Sequence, residues 1–181
     1  MRRLTSALIM SVLWTALHGI VGAASEVSSA TNERGYLEQC ANGSALSRDT
    51  TPCQSVGEWV NGNVGGAVSH FVEGQSIPYR LVMDGLTIGR EVTHTVTIAW
   101  NTTENFRHAV DYLTSFNRTL SADPCAGVAG CGAFSEVTIP ADSKIAAAGV
   151  TDAPESQRKL RLYGGRITRS SFSSYDLRAD G

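Results

Sequence analysis

Four cysteines, Cys40, Cys53, Cys125 and Cys131, carry the clearest chemistry in this 181-residue sequence. An even count predicts a disulfide framework once a chain leaves the reducing cytosol. Proximity favours Cys40–Cys53 and Cys125–Cys131, which would close loops worth about 3 and about 2.4 kcal/mol on the chain-entropy model. Crossed pairings would close loops of about 80 residues, worth about 4.5 kcal/mol each, so energy alone does not choose among the alternatives. A four-cysteine zinc site would want C-x₂₋₄-C spacing, which the sequence lacks, and an oxidising compartment would not leave its thiolates free.

The other reactive side chains are scattered. His70, His94 and His108 sit in separate segments without a short ligand spacing, so no metal and no cofactor is expected. Asp111, in HAVDYL, lies between apolar neighbours, and an unpaired buried carboxylate is costly. It is expected to be a structural carboxylate, in a salt bridge for which Arg80 and Arg107 are available or hydrogen-bonded to backbone amides; calcium ligation or general-base work is the functional alternative. Trp59 is a candidate platform for a sugar ring, whereas Trp100 shares an apolar strand face and is expected in the core. A Lys–Asn crosslink would need Lys144 or Lys159, neither of which lies on a confidently expected strand. Asn42, Asn101 and Asn117 begin N-x-S/T triplets that a bacterium would leave unmodified. No G-x-S-x-G elbow, H-E-x-x-H pair, calcium loop or phosphate-binding glycine loop occurs. An enzyme is therefore not expected. A secreted hydrolase would require a pocket gathering Asp111 with a histidine and a nucleophile.

The elements that must position these residues read as strands. Residues 92–100 (VTHTVTIAW) place Val92, His94, Val96, Ile98 and Trp100 on one face and the threonines on the other, a period of two built from β-branched residues. Residues 79–83 form a second strand, with Pro78 where the chain enters it. The glycines of the link at 84–89 predict that these two strands are antiparallel neighbours. Trp59-Val60-Asn61-Gly62 ends a strand in a turn signal. Residues 64–72, 134–139, 160–163 and 166–168 are further candidates. Residues 107–116 fit both helix and strand and are taken as strand from their surroundings. Residues 141–158 are expected to form a long surface connection.

Residues 1–24 have the parts of a cleavable signal peptide: Arg2 and Arg3, a charge-free apolar run at 7–17, and small residues with a cut after Ala23 or Ala24. Thr15, His18 and Gly19 interrupt the run, so a membrane span is not expected to remain after cleavage. Residues 25–53 are expected to form an irregular leader and residues 54–181 one β domain. The signal holds two of the 15 basic residues and none of the 17 acidic ones, which leaves 13 − 17 = −4 for the remainder. With only Lys144 and Lys159 as lysines and no basic cluster, a nucleic-acid partner is not expected.

The motifs WVNGN (59–63), VEGQSIPYR (72–80), TIAWNTT (97–103), HAVDYLTSFN (108–117), DPCAGVAGC (123–131) and LYGGRIT (162–168), in that order, resemble a module of bacterial secreted and surface proteins. The resemblance spans about residues 53–175. It implies an Ig-like or prealbumin-like β-sandwich and brings no catalytic residues with it. Members of that module look as if they continue for another strand, and Asp180-Gly181 is a dipeptide that normally turns into one. The expectation is thus an all-β, antiparallel sandwich of about seven strands lacking a C-terminal strand, exported to the cell surface or medium. Its role would be structural or adhesive, with carbohydrate or protein binding as the alternative.

Overall fold

A computed structural model of the chain describes residues 33–44, 51–62, 65–89, 91–100, 103–104, 107–108, 112–142, 149 and 151–173. Every regular element among them is a strand or a single 3₁₀ turn, and every strand pairing is antiparallel. The chain is all-β. Strands β1 (Arg34–Cys40), β2 (Trp59–Asn61) and β3 (Tyr79–Asp84) form a sheet in the order β2-β1-β3. The short β4 (Thr103–Glu104) and β5 (Arg107–His108) pair with each other, as do β6 (Phe134–Thr138) and β7 (Lys159–Tyr163). The 3₁₀ turns lie at Val56–Glu58 and Glu155–Gln157.

The central strand β1 lies in the stretch expected to be irregular, which corrects that expectation for residues 34–40. Its sequence, RGYLEQC, lacks an apolar face because most of the strand is exposed or half-buried and only Cys40 is buried. What holds it is pairing on both sides: Cys40 faces Trp59 on β2, and Gln39, Leu37 and Arg34 face Tyr79, Leu81 and Asp84 on β3. A ladder on each edge satisfies backbone groups whatever the side chains are.

Taking β1 as its partner, β3 does not pair with residues 92–100, contrary to the hairpin expected from the glycine-rich link. Residues 92–100 form no ladder among the described residues. Their alternation survives only in part: His94, Val96 and Trp100 are half-buried and Thr93, Thr95 and Thr97 exposed, yet Val92 and Ile98 are 42% and 45% exposed. Residues 65–72 and 166–168 are likewise without a ladder, and the strand expected at 107–116 is reduced to β5 among its described residues. The strands at 59–61, 79–84, 134–138 and 159–163 stand where they were expected, and Gly62 turns with φ 98°.

Both proximal disulfides form, Cys40–Cys53 and Cys125–Cys131, with Cα–Cα distances of 5.7 and 5.4 Å. Cys40 and Cys53 are fully buried and pack with Trp59, Ala122 and Ala126, flanked by Phe71, Phe116 and Leu120. The buried Cys40–Cys53 staple adds a covalent tie to this packing. Among the described residues no helix is long and apolar enough to cross a membrane.

Candidate binding cleft

Strands β6 and β7 are antiparallel, with Thr138 opposite Lys159, Glu136 opposite Arg161 and Phe134 opposite Tyr163. Successive side chains alternate faces, so these residues share one face of the ribbon while Ser135, Val137, Leu160 and Leu162 share the other. Each rung on the first face is chemically matched. The Lys159 ammonium donates to Thr138 Oγ1 at 2.6 Å, Arg161 Nε stands 3.4 Å from Glu136 Oε2, and the Phe134 and Tyr163 rings are 5.4 Å apart.

A loop at 115–118 closes one side of this face. Ser115 N–H donates to the Gln157 carbonyl at 2.7 Å, and Lys159 N–H donates to Ser115 Oγ at 3.0 Å, tying the loop to the 3₁₀ turn and to the start of β7. Arg118 is held by Gln157 Oε1 at 3.2 Å and Ser76 Oγ at 3.4 Å. Those two bonds leave further N–H donors of its fork unused, and no carboxylate lies within ion-pair distance of it among the described residues.

Loop, turn and ribbon enclose an open cleft of about 410 Å³. Its lining brings together Arg118, Lys159 and Arg161 with a single carboxylate, Glu136, and adds Asn117, Gln157 and two serines. Glu155 stands at its edge, 3.8 Å from the Lys159 ammonium. A chain with more acidic than basic residues thus gathers cations in one cleft. No histidine is among its described lining residues.

The residues singled out from sequence lie elsewhere. Trp59 is buried, 5% exposed, its indole N–H donating to the Asp123 carbonyl at 3.1 Å and the Arg80 guanidinium lying 4.5 Å over its ring. This corrects its candidacy as a sugar platform: both ring and N–H are already engaged. Arg80, available from sequence as a partner for Asp111, pairs with Glu38, directly opposite it on β1, at 2.7 Å. Asp111 itself, Lys144 and Asn101 lie outside the described residues. His70 Nδ1 is 2.9 Å from the Gly43 carbonyl and His94 Nε2 is 2.8 Å from the Thr87 carbonyl; of His108 only the backbone is described. No group of three potential metal ligands occurs among the described residues. Asn42 is 1% exposed, and its Oδ1 accepts the His70 N–H at 3.0 Å. Trp100 packs against Phe172 at 6.0 Å between ring centres.

Two features outside the cleft are electrostatically distinct. Glu58 Oε2 accepts the N–H groups of Ser55 and Gln54 at 3.0 and 2.7 Å, and these bonds hold its carboxyl below the usual range. Burial raises the Tyr79 phenol above its ordinary value.

No family model matches the chain, and no curated protein or solved structure matches it either.

Proposed function

We propose that this chain is an exported, non-catalytic surface module of Ig-like or prealbumin-like sandwich architecture, and that it adheres through the cleft floored by β6 and β7. The observation carrying this reading is the cleft lining: Arg118, Lys159 and Arg161 stand beside the amide and hydroxyl groups of Asn117, Gln157, Ser115 and Ser156. Such a wall is suited to holding a polar ligand. Export is supported by the signal-like residues 1–24 and by two disulfides, which persist in oxidising compartments. Separate antiparallel sheets and the ordered motifs from WVNGN to LYGGRIT support the sandwich.

The test is binding of the labelled, disulfide-bonded chain to a glycan array and to intact bacterial cells. Retention on either that the Arg118→Gln/Arg161→Gln double variant loses is the expected result. No retention on either surface refutes adhesion through this cleft.

A further inference from the structure

The chemistry of the cleft defines a ligand class. We propose that it takes an anionic saccharide, with the carboxylate or sulfate of one sugar residue bound between Arg118 and Arg161. The inference rests on the reading above that the cleft is a ligand site, and adds what the ligand must carry.

The charge of the ligand follows from the lining. Glu136 pairs with Arg161 through Nε and Glu155, at the edge, pairs with Lys159, which leaves Arg118 as the lining cation with no carboxylate partner among the described residues. The terminal nitrogens of Arg161 and the spare donors of Arg118 form planar forks that match a carboxylate or sulfate geometrically. Their positions are fixed before any ligand arrives. Gln157 and Ser76 hold Arg118, while Arg161 lies 4.6 Å over the Phe134 ring and 5.6 Å over Phe116. Pre-set donors spare the ligand the ordering entropy that a free surface arginine would lose.

The saccharide part follows from what surrounds the forks. Asn117, Gln157 and Ser156 offer mixed donors and acceptors suited to ring hydroxyls. Beyond the lining, Phe134 is 48% exposed on the same face of the ribbon and adds apolar surface at its end. A cleft of about 410 Å³ holds a short saccharide segment. An acidic peptide would use the same forks, and hexaglutamate is the probe that separates it from a sugar.

The experiment is titration calorimetry of the purified chain, both disulfides formed, against four probes: hexagalacturonate, a sulfated hexasaccharide, a neutral hexaglucan and hexaglutamate. Arg118→Gln, Arg161→Gln and the double variant are titrated alongside, with near-ultraviolet circular dichroism confirming that each is folded. The inference predicts binding of the uronate, the sulfated sugar or both. It predicts weakening by about tenfold in each single variant, the size of a charge-assisted contact, and further weakening as salt rises. Which of the two binds more tightly tells carboxylate from sulfate recognition. Equal binding of the neutral glucan, unaffected by the variants, overturns the anionic class while leaving a ligand site in place. Hexaglutamate binding as tightly as the best sugar overturns the saccharide class. Binding of no probe, by a chain that does adhere to cells through the cleft, overturns this inference alone; loss of adhesion as well removes both readings.

Discussion

The Arg80 guanidinium lies 4.5 Å over the Trp59 ring, on a side chain only 8% exposed. The same group reaches Glu38 at 2.7 Å and the carbonyls of Pro124 and Ala126 at 3.0 and 2.7 Å. One side chain therefore joins β1, β2, β3 and the loop that carries Cys125. The Trp59 N–H, bonded to the Asp123 carbonyl, makes a second tie to that loop. Removing one partner of such a group strands the other without its charge.

Arg80→Ala is accordingly expected to lower stability by about 3 kcal/mol, measured by urea denaturation with disulfides intact. Arg80→Lys should recover little of this, because an ammonium supplies the charge without the planar fork or the stacking surface. A loss under about 0.5 kcal/mol, the range of an ordinary surface substitution, would refute the role given to Arg80.

The two disulfides should not contribute equally. Cys40–Cys53 spans 13 residues and lies in the core, whereas Cys125–Cys131 spans six. Loop entropy alone gives about 3 and about 2.4 kcal/mol. The paired serine variant of Cys40 and Cys53 should melt lower than that of Cys125 and Cys131, since it also places hydroxyls in the core. The reverse order in calorimetry would contradict this.

Stability should depend on pH at both ends through two different groups. The folded-state value of Glu58 is lowered by the backbone bonds of Ser55 and Gln54, so its contribution is present at neutral pH and lost as pH falls through the carboxylate range. Glu58→Gln should flatten part of the acid limb. Tyr79 is raised by burial, so its contribution is present below the usual phenol value of about 10 and lost as pH rises beyond it. Tyr79→Phe should remove that alkaline loss. Unchanged limbs in either variant's pH–stability curve would show that the group does not carry the linkage.

Gly127 and Gly130 offer a controlled comparison. Both have positive φ, 74° and 73°, but a Cβ on Gly127 would collide with the Val56 side chain, whereas one on Gly130 meets nothing within 4 Å. Gly130→Ala should cost about 1 kcal/mol of backbone strain, and Gly127→Ala about 1–3 kcal/mol more from the clash. Adding Val56→Ala should recover only part of that excess, because the Val56 Cβ would itself lie 2.8 Å from the new methyl, whereas Val56→Gly should remove the clash. Equal costs for the two glycine substitutions would contradict the packing seen around Val56.

Sequence pattern located β2, β3, β6 and β7 because each is short, β-branched or aromatic, and bounded by turn residues. It failed at β1, whose side chains are polar because most of that strand is not buried. It overstated residues 92–100, because period two reports burial of one face and carries no information on which edge, if any, supplies hydrogen bonds. The cleft was illegible for another reason. Its cations come from positions 118, 159 and 161, and only the antiparallel register of FSEVT against KLRLY brings Glu136 to Arg161 and Thr138 to Lys159. The matched alternation in those two segments was the available signal. The aromatic residue that did stand out, Trp59, is conspicuous because it is core.

On the proposed function, the charged face of β6 and β7, with the loop at 115–118, holds the ligand. Amide chemical shifts of the isotope-labelled chain, followed as hexagalacturonate or the sulfated hexasaccharide is added, test it most directly. Shifts should move at Ser115, Asn117, Arg118, Gln157, Lys159 and Arg161 and saturate together. Saturating shifts confined to residues 92–100 or to the Trp59 sheet, with the cleft silent, would contradict the account.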